Sequence, residues 1–127
     1  RLLERGYEVA IETGGNRDIS RLPKGVKRIV DIKTPASGEC EKNNYRNIDY
    51  LNADDELKFV VMDAVDTDWS LDMIRERKLC ELCHVSLSPT HLDLLPMMAQ
   101  KVLQSGLKVR LQTQFHKIIW PERERGF

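Results

Sequence analysis

Hydroxyls, glycines and imidazoles gather at a few places in this chain. They are Thr13-Gly14-Gly15, Thr34-Pro35-Ala36-Ser37-Gly38-Glu39, Asp63, Ser88-Pro89-Thr90-His91 and His116-Lys117. Hydroxyls and imidazoles hydrogen-bond polar ligands, and glycine lets a backbone approach one closely. Near the end, "RLQTQFHKIIWPERERGF", Gln112, Gln114 and His116 alternate with Leu111, Thr113 and Phe115. As a strand, that stretch puts three polar side chains on one face.

Positioning these residues requires strands. "YEVAIE" (7–12), "VKRIVDIK" (26–33), "ELKFVVMD" (56–63), "CHVSLS" (83–88) and "KVRLQTQF" (108–115) are apolar, β-branched or alternating, which predicts five strands. The continuous apolar run of the third suits a strand buried on both faces. Helix-like stretches lie between them. "CEKNNYRNIDYL" (40–51) is weakly patterned, "DTDWSLDMIRERK" (66–78) carries a Trp69/Met73/Ile74 stripe, and "LLPMMAQKVLQSG" (94–106) ends on Gly106. Strands alternating with helices predict βαβ units and a parallel sheet in one α/β domain over residues 1–127.

In such sheets and barrels the chemistry sits at the C-terminal ends of the strands. Every chemically interesting group named above follows a strand, whereas "LPKG", "NADD" and "SGLK" on the opposite rim are turn material. Each feature also has a structural reading. "TGG" serves as a turn needing φ > 0, "KTPASG" as a loop, and "ERER" (122–125) as a solvated tail. "CELC" (80–83), followed by His84, resembles a metal pair but has no second pair. Cys80 and Cys83 are therefore expected to be buried structural thiols.

Twenty basic residues balance twenty acidic ones, so no global field favours nucleic acid or an anionic membrane. No apolar run approaches the roughly 20 residues of a membrane helix. Three cysteines make an odd number, which argues against a disulfide scaffold and for the cytoplasm. "RLLERG" at the start reads as a last helical turn, so the chain is expected to continue upstream of Arg1.

"ETGGNRDIS", "VDIKTPASGE", "DELKFVV", "SLSPTH", "VRLQTQFHKIIW" and the final "RGF" occur here in one order and register. Together they resemble the C-terminal part of the 7-carboxy-7-deazaguanine synthases, a family of radical S-adenosylmethionine (SAM) enzymes. The resemblance covers nearly the whole chain. It implies a parallel-sheet partial (β/α) barrel and a lyase of the queuosine and tRNA-modification pathway. That lyase contracts the ring of 6-carboxy-5,6,7,8-tetrahydropterin, with SAM, a [4Fe-4S] cluster and Mg²⁺ as cofactors. It also implies an electron donor such as flavodoxin, a homodimer, and no direct contact with nucleic acid or membrane.

Residue by residue, the resemblance assigns the pterin substrate to Thr13, His116 and the terminal carboxylate of Phe127. It assigns SAM to Gly15, to Glu56, Leu57 and Lys58, and to Ser88, Pro89, Thr90 and His91. A carboxylate fixed near pterin N–H donors would make charge-assisted hydrogen bonds. Cys40, Cys80 and Cys83 lack the spacing of the family's cluster-binding triad, so the resemblance places the cluster ligands, the glycine-rich SAM stretch and the Mg²⁺ threonine upstream of Arg1. This chain alone is expected not to catalyse, and by itself to dimerise or stick through its uncovered sheet. Two alternatives are another radical SAM enzyme, such as a glycyl-radical activating enzyme, and a non-catalytic SAM- or purine-binding module.

Overall fold

The computed structural model describes residues 10–16, 18–20 and 25–113. Five strands form one sheet in the order β1-β2-β3-β4-β5: β1 (Ala10–Gly14), β2 (Lys27–Ile32), β3 (Glu56–Val61), β4 (His84–Pro89) and β5 (Arg110–Leu111). Every neighbouring pair is parallel. Two α-helices complete the frame, α1 (Ala64–Glu76) and α2 (Leu95–Ser105). Strand order that follows chain order, with helical crossovers, is the architecture of a partial (β/α) barrel, as the sequence predicts.

The alternation of side chains divides the sheet into two faces. Val30, Ile32, Leu57, Phe59, Val61, Val85 and Leu87 pack in one core with Leu71 and Ile74 of α1 and Met98 of α2. Trp69 sets its ring edge against Phe59, with centroids 6.4 Å apart. The other face carries Asp31, Lys58, Ser86 and Arg110, which are register partners across β2 to β5. The sequence predicts β3 to be buried on both faces. Instead Leu57, Phe59 and Val61 are fully buried while Lys58 and Val60 are only half-buried. Helices cover one side of the sheet, and this open side is where β3 keeps its polar residue.

Local chemistry fixes the ends. α1 begins ahead of the predicted 66–78 because the Asp63 side chain accepts from the Asp66 N–H at 2.8 Å and caps the helix. α2 stops where Gly106 takes φ 70°, a conformation that glycine adopts without a Cβ penalty. The helix predicted over 40–51 is instead two 3-10 segments, Cys40–Lys42 and Tyr45–Tyr50. Its asparagines, poor helix formers, bond instead to Gly15, Ile19 and Lys33, in the loops that follow β1 and β2. Tyr7 to Val9 of the first predicted strand, and everything beyond Thr113 of the last, lie outside the described residues. Among the described residues no helix is long and apolar enough to cross a membrane.

At the N-terminal rim, buried Asp55 ties β2 to the turn before β3. It accepts from the Arg28 guanidinium at 2.8 and 3.1 Å, from the Arg28 backbone N–H at 2.9 Å, and from the Asn52 N–H at 2.9 Å. Burial pushes its carboxyl pKa upward, but the Arg28 and backbone hydrogen bonds outweigh it and hold the group below the usual carboxylate value. The stabilisation is therefore full above the unfolded pKa, about 4, and is lost as pH falls through the lower folded value. Asp55→Asn leaves Arg28 unpaired and is expected to cost about 3 kcal/mol at pH 7. In urea unfolding, the gap between variant and wild type should close as pH drops below about 4.

Candidate functional site

The C-terminal rim is built by buried polar side chains that hold loops in place. Asp66, fully buried in the first turn of α1, accepts from the Ala36 N–H at 2.9 Å, the Met62 N–H at 3.0 Å and the Thr34 hydroxyl at 2.8 Å. One carboxylate thus joins the loop after β2, the end of β3 and the start of α1. "KTPASG" is shaped by this anchor: Pro35–Ser37 make a 3-10 turn that ends on Gly38 at φ 73°.

A second clamp comes from the 3-10 segments. Asn43 brackets one backbone unit, its Oδ1 accepting from the Lys33 N–H at 3.0 Å and its Nδ2 donating to the Lys33 carbonyl at 2.9 Å. Asn47 accepts from the Ile19 N–H at 3.1 Å and donates to the Gly15 carbonyl at 3.3 Å. The Asn44 N–H reaches the same carbonyl at 2.7 Å, and the Gly15 N–H donates to the Asp31 carbonyl at 2.6 Å. Gly15 is therefore fully engaged within the protein. It does not adopt positive φ, so the φ > 0 turn expected of "TGG" does not form. A Cβ on Gly15 would lie 2.7 Å from the Asp31 carbonyl and 3.1 Å from Ile32, and that close approach is why glycine sits there.

The other sequence-predicted residues fall in three places. Thr13 is half-buried near the end of β1, in register with Val30 and hence on its face. Ser88 and Pro89 close β4, both buried. Beyond them the Thr90 N–H bonds the Val61 carbonyl at 3.0 Å, and exposed His91 leads into a 3-10 turn, so Ser88–His91 lies over the end of β3. Glu56, Leu57 and Lys58 instead begin β3, away from that rim. Leu57 is core, Glu56 is buried beside Ile29 and His84 in register, and Lys58 stands on the open face 3.4 Å from Glu12. His116 and Phe127 lie outside the described residues. The structure thus brings Lys58 and Ser88 to one face and gathers Gly15 and Ser88–His91 at one end of the sheet.

Sequence reading missed Asp31 and Ser86. Their signal was the two-residue alternation of "IVDIK" and "VSLS", which sets both on the face opposite the core. Asp31 Oδ2 takes the Lys33 ammonium at 2.9 Å. Asp31 Oδ1 and Ser86 Oγ are buried with no hydrogen-bond partner among the described residues. The "CELC" pair sits at the far end of the sheet, beside a hollow of about 170 Å³ lined in part by Cys80, Cys83 and His84. Burial pushes the Cys83 thiol up to about 11 and raises Cys80 too, disfavouring the thiolate a metal needs. Among the described residues no three His, Cys, Asp or Glu side chains converge to hold a metal ion. These residues therefore do not fit an iron–sulfur cluster or Mg²⁺.

No family model and no solved structure matches the chain. Curated proteins do. A 7-carboxy-7-deazaguanine synthase of Koribacter versatilis is 36% identical over 99% of this chain and 62% of its own length. Those of Chlorobaculum tepidum and Methanospirillum hungatei are 33% and 30% identical over 98% and 93% of this chain, and over 59% and 49% of their own. The chain spans about half to three-fifths of the length of these relatives.

Gly15→Ala tests the close approach. The added methyl meets a backbone carbonyl that cannot move without disturbing β2, so it should destabilise the protein by about 1–3 kcal/mol, measured by denaturant unfolding. Gly14→Ala should be milder, because its Cβ would meet only the movable Asn16 side chain.

Proposed function

On the premise that this chain is a homologue of part of the 7-carboxy-7-deazaguanine synthases, we propose that the protein carrying it makes 7-carboxy-7-deazaguanine by radical SAM-dependent ring contraction of 6-carboxy-5,6,7,8-tetrahydropterin. The similarity of nearly the entire chain to enzymes of that name is the observation that carries the reading. A polar sheet face opposite a sealed core supports it, because a flat, nitrogen-rich substrate needs hydrogen bonds more than apolar contact.

In this reading the chain is one wall of the site. Ser88–His91 cover the adenosine end of SAM, Lys58 and Gly15 lie along it, and His116 orients the pterin. The Asp66 and asparagine clamps keep the rim loops in position while ligands exchange. SAM, when bound and reductively cleaved, supplies the radical that begins the rearrangement. The cluster ligands and the Mg²⁺ site belong to other parts of the protein, electrons come from a flavodoxin-like donor, and the working form is a homodimer.

The test is the full-length protein, reconstituted anaerobically with iron and sulfide and given SAM, Mg²⁺, reductant and 6-carboxy-5,6,7,8-tetrahydropterin. Mass spectrometry should find 7-carboxy-7-deazaguanine. Cleavage of SAM without that product would redirect the reading to another radical SAM reaction.

A further inference from the structure

Two polar atoms on the open face are buried without partners, and they stand in one register row. Asp31 on β2 pairs in register with Lys58 on β3, and Lys58 with Ser86 on β4. The three side chains therefore share the face away from the core. Ser86 is fully buried, yet its Oγ bonds nothing among the described residues, and Asp31 Oδ1 is in the same condition. The asymmetry on Asp31 is informative: Oδ2 is taken by Lys33 while Oδ1 is left as an acceptor.

Most other buried polar side chains are satisfied; Thr113 Oγ1, two residues beyond β5 on the Leu111 face, is the third such atom without a partner among the described residues. Asp55, Asp66, Asn43 and Asn47 each make two or more hydrogen bonds, and the Ser70 hydroxyl donates to the Asp66 carbonyl at 2.7 Å. A fold that satisfies these groups and leaves two atoms of one register row unpaired among the described residues is bearing a desolvation cost there. Such costs are carried where a ligand repays them.

We propose that Asp31 Oδ1 and Ser86 Oγ are a recognition pair for a nitrogen-bearing ligand lying across β3, with Asp31 accepting from an N–H donor and Ser86 bonding a second polar group. The strands that carry them flank β3, so their backbones are about 10 Å apart and the ligand passes over Lys58. The inference rests on the reading of the open face as the binding wall, and it adds two residues to that wall. The N–H donor could be the amino group of SAM or the ring nitrogens of the pterin; the chemistry at Asp31 is the same.

The experiment uses the full-length protein and two probes, S-adenosylhomocysteine and 6-carboxypterin, with affinities by calorimetry and unfolding temperatures without ligand. Ser86→Ala should leave the ligand-free unfolding temperature unchanged or higher, because it removes an unsatisfied buried hydroxyl. A fall of more than about 3 °C means the hydroxyl has a structural partner and overturns the pair. Asp31→Asn should weaken one probe at least tenfold, and which probe responds identifies the donor. Lys33→Gln, which removes the ion pair but keeps Oδ1, should change both by less than twofold. If neither Asp31→Asn nor Ser86→Ala alters the binding of either probe, the proposal is wrong. If the wild type binds neither probe, the deazaguanine reading fails, and the unfolding temperature of Ser86→Ala still decides the pair.

Discussion

A carboxylate with no exposure to water, Asp66, does more to shape this molecule than any exposed charge. A buried anion costs several kcal/mol to desolvate unless donors surround it. Asp66 has them from three directions: the Ala36 N–H, the Met62 N–H and the Thr34 hydroxyl. The arrangement is reciprocal, since the Ala36 N–H stands in the first turn of the Pro35–Ser37 3-10 segment, which offers it no acceptor of its own. Asp55 does the same at the other rim through Arg28 and Asn52. The two acids bracket β3, the middle strand, one just before it and one just after its end. The sheet is fixed at both rims by charge-assisted bonds and between them by Leu57, Phe59 and Val61.

This division explains why one face remains available. The apolar residues of β2, β3 and β4 are committed to the helices, and the rim loops are held by side chains that point into the protein. Nothing in that scheme consumes Lys58, Ser86 or Ser88, which face away from the core. Geometry places them together, although they come from strands separated by a complete helical crossover.

Much of the architecture was legible. The strands over 26–33, 56–63 and 83–88, and α1 and α2, were marked by β-branched runs, a Trp69/Ile74 stripe and the Pro96-to-Gly106 frame, because those patterns report local preference and burial at once. The segment 40–51 was not. Its apolar residues are sparse, and its structure is decided by Asn43 and Asn47 bonding to residues just past the first two strands, which no local pattern reveals. For the candidate site residues, position along the strands was easier to read than surroundings. Gly15 was singled out for a turn or a ligand contact, but what surrounds it is Asp31 and Ile32, and it does not take positive φ. Glu56, Leu57 and Lys58 were read as a unit, though strand alternation separates them at once: Leu57 enters the core and Lys58 the open face. Asp31 and Ser86 were hidden because their meaning depends on register between strands, which one sequence does not print.

The asparagine clamp also has a temporal side. Asn47 reaches back 28 residues to Ile19 and 32 residues to Gly15. Such nonlocal bonds reward the chain only after the entropy of closing a long loop has been overcome. They span more chain than the 17 residues between paired positions of β1 and β2, and about as much as the 28 between paired positions of β3 and β4, so this rim carries a closure cost of the same order as the sheet's own longest pairings.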